Sequence, residues 1–163
     1  MDYVRYIDKT REYYAGEGYA KPYHWAHFDS IPFTSLTKPL GRCRVGLVTT
    51  SEMAVLEEPG PWDDEADATR DVYALPTSTP TEKLYTRKEA FDRYETTLDD
   101  VESYLPIGRL REYADQGRIR DLAPRFQVIY SQYSQRKTMT VDAPEILRQM
   151  REDGVDVAVL TAV

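Results

Sequence analysis

The chain is poor in the residues that mark several common classes of protein. Its 163 residues include one cysteine, Cys43, which excludes an internal disulfide and any cysteine-based zinc cluster. No stretch approaches the roughly 20 consecutive apolar residues that a membrane-spanning helix needs. The N-terminal MDYVRYIDKTREYY also lacks the apolar segment of a secretory signal. These absences predict a cytoplasmic protein that has no membrane partner.

The motifs of common cofactor and metal sites are missing too. The sequence contains no GxGxxG, no phosphate-binding GxxxxGK[ST], no HExxH and no Ser-His-Asp arrangement. His24 and His27 are three residues apart, but only Asp29 lies near enough in sequence to join them. Pro22 argues against a regular helix there, so ring packing with one hydrogen bond is favoured over metal binding. We therefore expect no bound cofactor and no metal.

Charge and composition further narrow the class of protein and its possible partners. The formal net charge is −7 and the isoelectric point is near 4.9, which disfavours nucleic acid as a partner. Hydrophobic residues make up 41% of the chain and charged residues 30%, as in soluble globular proteins. The length suits one domain with a substantial core.

The first 40 residues differ in character from the rest. Residues 2–15 are predicted to form a helix that ends at Gly16 and Gly18. Residues 19–33 (YAKPYHWAHFDSIPF) form an aromatic arm, which is expected to pack its rings on the domain body or on a second subunit. The domain division predicted here is therefore 1–40 for the helix and arm, and 41–163 for an α/β domain.

From residue 44 onward, strand-like and helix-like segments alternate. This pattern predicts an α/β fold: a single domain with a mostly parallel, flavodoxin/Rossmann-like sheet, preceded by the aromatic-rich N-terminal helix and arm. The apolar run 156–163 is predicted to be a central strand buried on both faces. Predicted strands span 44–50, 72–75, 126–131 and 156–163, and predicted helices span 81–90, 106–117 and 142–153.

Polar side chains follow the first predicted strand at its carboxyl end. Ligands of such sheets bind beyond the carboxyl ends of the strands, so Thr49, Thr50 and Ser51 are candidates for substrate binding. A plain turn with local side-chain hydrogen bonds explains them equally well. Asp92 and Arg93 are either a structural ion pair or a clamp in which the arginine holds a substrate carboxylate.

A second polar cluster follows the strand at 126–131. Ser131, Ser134, Gln135 and Arg136 either line a pocket or belong to a solvated loop. Asp142 is predicted to cap the last helix. Cys43 lies at the start of a strand, away from the expected site, and is interpreted as a buried and inert thiol.

Two stretches, together with RVGLVTTS at 44–51, carry a family resemblance. They are FDRYETTLDDVESYLPIGRLREYADQGRI at 91–119 and APEILRQMREDGVDVAVLTAV at 143–163. Their order and spacing resemble selenoprotein B of the glycine, sarcosine, betaine and D-proline reductases, over most of residues 44–163. The matching positions include Thr49, Phe91, Asp92, Arg93, Pro106, Arg109, Leu110, Gly117, Asp153, Gly154 and Val155.

The resemblance implies a reductase subunit that cleaves a C–N bond, or a similar C–heteroatom bond, of a small amino-acid-like substrate. The redox motif of such proteins, Sec-x-x-Cys or Cys-x-x-Cys, directly follows the strand that resembles VAVLTAV. Its low-pKa selenolate or thiolate would be the nucleophile, and a neighbouring thiol would resolve the intermediate. In such a subunit we expect the substrate site to be lined by Thr49, Thr50, Asp92, Arg93, Ser134 and Arg136, a hypothesis that rests on placement at the ends of predicted strands.

The sequence stops at Val163, one residue before the position where the resemblance places this selenocysteine or cysteine. Three explanations remain open: truncation at a UGA codon, a natural short subunit, or a processed chain. We expect a small-molecule carboxylate or amine as substrate and a homo- or hetero-oligomer in which another subunit completes the sheet. The alternative is a non-catalytic scaffold or binding subunit of a heteromeric complex.

Overall fold

A computed structural model describes residues 5–22, 24, 26–31, 33–59, 72–89, 91, 94, 97–130 and 134–162. The chain divides into two units, Met1–Phe33 and Thr34–Val163. The first unit contains helix α1 (Tyr6–Gly16), which buries none of its residues. Beyond it, the described residues of the aromatic arm form neither helix nor strand. The Phe33 ring is 93% exposed, so a packing surface for this arm stays a prediction.

The second unit is a mixed α/β structure with a mostly parallel sheet, as the sequence predicts. Its strands and helices, in chain order, are β1 (Arg44–Thr49), β2 (Met53–Val55), β3 (Tyr73–Pro76), β4 (Leu84–Thr86), α2 (Ile107–Asp115), β5 (Asp121–Leu122), β6 (Arg125–Val128), α3 (Gln135–Lys137), α4 (Ala143–Glu152) and β7 (Val157–Thr161). A π-helical turn, Thr138–Asp142, joins α3 to α4. None of the described helices is long and apolar enough to span a bilayer. The flavodoxin or Rossmann likeness stays a prediction.

Strand β1 lies at the centre of the main sheet. It pairs in parallel with β7 from Val45 to Thr49, and with β5 and β6 along its other edge. The register with β1 shifts by two residues between β5 and β6, around Ala123 and Pro124. Strand β3 pairs antiparallel with β6, and β2 and β4 form a separate two-stranded sheet. The carboxyl ends of β1, β6 and β7 therefore meet at one edge.

The hydrophobic core fills the space between the main sheet, the β2–β4 pair and the start of α2. Its buried members are Leu47, Met53, Val55, Leu84, Tyr104, Leu105, Ile107, Phe126 and Val128. On the opposite face of β1, helix α4 approaches closely at Gly46. A Cβ added there would lie 3.0 Å from both Met150 Cε and Val155 Cγ1. Glycine suits this position because any larger residue would require the side chains of Met150 and Val155 to shift.

Strand β7 differs from the prediction of a strand buried on both faces. Alternate residues along it are exposed, and Leu160 is 74% exposed. The prediction was wrong because β7 pairs only with β1 among the described residues and lies at the edge of the sheet. Strand β1, at the centre, has all but its first residue buried.

The predicted helices have mixed outcomes. Helix α2 follows Pro106 and α4 ends before Gly154, whose φ of +66° suits glycine, and both confirm the sequence signals. The helix predicted at 81–90 was wrong. The segment is a short 3-10 turn followed by β4, because Leu84 enters the core and β4 pairs with β2.

Candidate functional site

The carboxyl end of β1 carries two buried hydroxyl groups that bind each other. Thr49 Oγ1 and Ser51 Oγ are 2.6 Å apart, and the backbone N–H of Ser51 donates to Thr49 Oγ1 at 3.2 Å. Both residues are fully buried. The Thr50 N–H donates to the carbonyl oxygen of Thr161 at 3.3 Å, which ties the end of β1 to the end of β7. These contacts hold the strand end in one conformation.

Residues from the β2–β4 pair complete this edge. The Thr86 hydroxyl donates to the Ser51 carbonyl oxygen and also accepts from the Lys88 N–H at 3.0 Å. The Lys88 ammonium lies 3.5 Å from the Thr50 carbonyl oxygen and 3.6 Å from Glu52 Oε1. We refer to Thr49, Thr50, Ser51, Glu52, Thr86 and Lys88 as the β1-end cluster.

Two members of the β1-end cluster are charged and largely withdrawn from solvent. The side chain of Lys88 is 5% exposed and that of Glu52 is 16% exposed. Glu52 also has a φ of +49°, a conformation that non-glycine residues adopt infrequently. Strained backbone of this kind concentrates at functional sites. The cluster is therefore the strongest candidate for a functional site in the described part of the chain.

Tyr73, at the start of β3, borders the β1-end cluster. Its hydroxyl donates to the Met53 carbonyl oxygen at 2.7 Å. Burial, and secondarily the charge of Glu52, raises the pKa of Tyr73 far above its usual range. The phenol therefore stays protonated at physiological pH and acts as a hydrogen-bond donor that fixes the strand next to Glu52.

Comparison with known protein families identifies the family of this chain. The model of the glycine/sarcosine/betaine reductase selenoprotein B family matches residues 4–163. The chain belongs to the selenoprotein B family. Searches of curated proteins and of solved structures found no match.

Selenoprotein B is a subunit of a multi-component reductase, so membership makes this chain part of an oxidoreductase family. The match confirms the resemblance drawn from the sequence. It covers the β1-end cluster as well as the stretches that carried the resemblance. The β1-end cluster therefore lies within the part of the chain that the family model matches.

The predicted site residues of this selenoprotein B chain fall in three places. Thr49 and Thr50 are neighbours at the end of β1. Ser134 and Arg136 lie at the start of the helical segment that follows β6. No hydrogen bond or ion pair joins these two groups in the described part of the chain. Asp92 and Arg93, like Ser131, lie outside the described residues, and their predicted role stays a prediction.

Ser134 has a clear local role as a helix cap. Its Oγ accepts from the Lys137 N–H at 3.2 Å. Arg136 is exposed, and its carbonyl oxygen accepts from the Thr140 hydroxyl at 2.9 Å. Asp142 was predicted to cap this helix, and that prediction was wrong. Its buried carboxylate pairs with Lys137 Nζ at 2.5 Å, because the helical segment begins eight residues earlier, after Ser134.

A second concave surface lies near the start of β3. An open groove of about 510 Å³ is lined by Val72, Thr140, Val141, Pro144, Glu145 and Arg148. Arg148 donates to both oxygens of Glu145, at 2.6 and 2.8 Å, and holds the pKa of that carboxyl at about 2. Since these two charges satisfy each other, the described lining of the groove offers no unpaired charge for a small ionic ligand.

Cys43 and His27, which the sequence analysis also considered as functional residues, make contacts typical of structural residues. Cys43 is fully buried and its thiol faces the carbonyl oxygen of Pro39 at 3.5 Å, consistent with an inert thiol. His27 Nε2 lies 3.2 Å from Asp29 Oδ1 on an exposed surface. The described residues contain no group of three or more His, Cys, Asp or Glu side chains that could hold a metal ion.

Sequence reasoning missed Lys88 and Glu52. Lysine and glutamate are usually exposed, and nothing in their sequence neighbours marks these two as buried. The pairing of β4 with β2 brings them together at the end of β1. A periodicity that identified β4 as a strand is the one signal that could have found them.

Proposed function

We propose that this chain forms part of a selenoprotein B-type reductase that reductively cleaves a C–N or similar C–heteroatom bond of a small amino-acid-like substrate. The family match over residues 4–163 carries the proposal. In it, Thr49, Thr50, Asp92, Arg93, Ser134 and Arg136 contribute to the substrate site. The redox selenocysteine or cysteine comes from beyond Val163 or from a partner subunit.

The chemistry needs a nucleophile that this sequence does not contain in accessible form. A selenolate or thiolate attacks the α-carbon, and the amine leaves with the electron pair of the C–N bond and takes up a proton. A second thiolate then attacks the selenium or sulfur atom, and the carbon fragment leaves with the electron pair of the C–Se or C–S bond and takes up a proton. The selenenylsulfide or disulfide that results is returned to the reduced state by an external thiol reductant. The one cysteine of the chain, Cys43, is fully buried, so its thiol is not accessible to a substrate as this nucleophile.

The test is turnover by the reconstituted complex. The chain is combined with the remaining components of the reductase and a dithiol reductant, and release of ammonia, methylamine or trimethylamine is measured from glycine, sarcosine or betaine. We expect turnover that requires this chain. Arg93→Ala should lower turnover, with Arg42→Ala, at an exposed position before β1, as the matched control; unchanged turnover in Arg93→Ala would remove Arg93 from the site.

One observation favours a second candidate, a non-catalytic scaffold or binding subunit. The only cysteine is buried, so the described residues hold no redox-active thiol. The same assay separates the two. Activity in the isolated chain excludes the scaffold, and activity that appears only with a second gene product supports a split enzyme. Turnover by the other components without this chain supports the scaffold.

We propose that the domain over residues 41–163 is completed by another subunit in a homo- or hetero-oligomer, with the β7 edge or the aromatic arm at the contact. One edge of β7 is unpaired among the described residues, and Leu160 beside it is 74% exposed. Exposed strand edges with apolar side chains favour association. Light scattering at micromolar concentration should give a mass above that of one chain; a monomer would contradict this proposal.

A further inference from the structure

Lys88 is nearly buried but lacks a close partner. Its side chain is 5% exposed, and its nearest contacts are the Thr50 carbonyl oxygen at 3.5 Å and Glu52 Oε1 at 3.6 Å. Hydrogen bonds between ammonium and carboxylate groups normally measure about 2.7–2.9 Å. An ammonium group has three donors, and no described group engages any of them at that distance.

Two other lysines of the chain show what a satisfied lysine looks like. Lys38 Nζ lies 2.7 Å from Asp156 Oδ2, and Lys137 Nζ lies 2.5 Å from Asp142 Oδ1. Both are more exposed than Lys88, with 34% and 19% of their side chains accessible. The most deeply buried of the three ammonium groups thus has the longest contacts. Burial of a charge without close partners is costly, which points to a partner that the described residues do not provide.

The backbone around Glu52 is held in place despite an unfavourable conformation. Glu52 has a φ of +49°, and its carbonyl oxygen accepts from the Arg87 N–H at 3.2 Å. On either side of it, the Ser51 carbonyl oxygen accepts from the Thr86 hydroxyl and the Met53 carbonyl oxygen accepts from the Tyr73 hydroxyl. These bonds fix the backbone at Glu52, whose carboxylate lies 3.6 Å from the ammonium of Lys88, at the edge where parallel sheets bind their ligands.

We propose that Lys88 and Glu52 together bind the zwitterionic head of the substrate. Lys88 holds the carboxylate, and Glu52 faces the cationic nitrogen. This inference rests on the proposed function and assigns two residues to the same site. A cation and an anion 3.6 Å apart match a molecule whose own opposite charges are separated by one carbon. The family name lists glycine, sarcosine and betaine, and all three carry a carboxylate and a cationic nitrogen on one carbon.

A site formed by this charge pair is also expected to accept ligands with different substituents on the nitrogen. Glu52 recognises positive charge, and an ion pair with a carboxylate does not require an N–H donor, so a quaternary nitrogen is accepted as well as a primary one. Lys88 provides directional hydrogen bonds to the carboxylate, which all such ligands share. The pair is therefore expected to select for the zwitterion and to discriminate weakly among degrees of N-methylation.

The test is a titration of the chain with four ligands: glycine, betaine, acetate and methylammonium. Affinity is measured by calorimetry, and the Lys88 side chain is followed by NMR of lysine-labelled protein. Lys88→Met should weaken glycine, betaine and acetate by about tenfold and leave methylammonium unchanged. Glu52→Gln should weaken glycine, betaine and methylammonium but not acetate. Lys83→Met and Glu82→Gln, at exposed positions on the turn before β4, are the matched controls and should change none of these affinities.

The outcomes separate binding from structure. If Lys88 and Glu52 only neutralise each other, each variant will affect all four ligands alike, and the inference is overturned. Urea unfolding of every variant and the conservative Lys88→Arg check the fold, and in the unmodified chain the Lys88 side-chain signals must move with glycine. If they do not move, the inference is overturned without reliance on any variant.

The inference and the proposed function can also fail separately. Glycine binding that neither Lys88→Met nor Glu52→Gln alters overturns the inference and leaves the reductase assignment intact. Ligand-specific loss in both variants, together with no turnover of glycine, sarcosine or betaine by the reconstituted complex, supports the charge pair and overturns the proposed function. No binding of any of the four ligands by the chain overturns the inference, while the turnover assay still decides the function.

Discussion

Arg44 and Asp121 form a bidentate ion pair that joins β1 to β5. Arg44 Nε lies 2.9 Å from Asp121 Oδ1, and Nη2 lies 2.9 Å from Oδ2. The third nitrogen of the same guanidinium donates to the Asp153 carbonyl oxygen at 2.7 Å, where α4 ends. One side chain thus connects the amino end of the sheet to the helix that covers it, at the opposite end from the β1-end cluster.

Replacement of Arg44 by methionine should lower the free energy of unfolding by about 1 kcal/mol, since three hydrogen bonds are lost at a site that remains about one-third exposed and therefore screened by solvent. Urea unfolding followed by circular dichroism measures the change. Arg148→Met is the control, because Arg148 pairs with Glu145 on an exposed helix surface and its loss should cost clearly less. Equal losses in the two variants would contradict a special role for Arg44.

Stability should fall as the solution is acidified. The hydrogen bonds from Arg44 lower the pKa of Asp121, and the hydrogen bond from Lys38 lowers the pKa of Asp156. A carboxyl whose pKa is lower in the folded state stabilises the fold above its unfolded pKa, about 3.9, and loses that contribution as pH falls through the folded value. The urea midpoint is therefore expected to drop below about pH 4.

Asp121→Asn should flatten this pH dependence, since the substituted side chain no longer titrates. Asp115→Asn is the matched control because no ion pair or hydrogen bond of the Asp115 side chain is found among the described residues. A midpoint that depends on pH in the same way in Asp121→Asn and in the unmodified chain would contradict the assignment.

Gly46→Ala should destabilise the domain by about 1–3 kcal/mol, the usual range for overpacking a core. The added methyl group would lie 3.0 Å from both Met150 Cε and Val155 Cγ1, so these two side chains must shift to make room for it. Thermal and urea unfolding measure the effect. Gly16→Ala is the control, because no atom lies within 4 Å of an added Cβ there. If Gly46→Ala is as stable as the unmodified chain, α4 does not pack on β1 as described.

Substitutions of Ser134 can separate its role as a helix cap from its proposed contact with the substrate. Ser134→Ala should cost about 1 kcal/mol through loss of the hydrogen bond from the Lys137 N–H. Ser134→Asp retains a cap and should restore most of that stability. If Ser134 also binds substrate through its hydroxyl, both variants will bind glycine more weakly. If the affinity for glycine follows stability, Ser134 acts only as a cap.

Parts of the fold are readable from local sequence signals. Pro106 and Gly117 bracket α2, and Gly154 follows α4, because each residue suits the backbone conformation at a helix end. The apolar run before Thr49 identifies β1 correctly. Asp142 shows the limit of such signals. A good capping residue lies inside a longer helical segment there, because its carboxylate pairs with the partly buried Lys137 instead.

The sequence by itself determined the α/β class, the hydroxyl-rich end of β1 and the family, since these depend on residue types in consecutive order. The tertiary structure alone decided that β7 lies at an edge of the described sheet with one face exposed, because both depend on which distant segments pair with the strand and pack on it. It also brought Lys88 to the end of β1, although Lys88 and Thr50 are 38 positions apart. Pairing between β2 and β4 creates that contact, and no local pattern encodes which distant strand a segment will join.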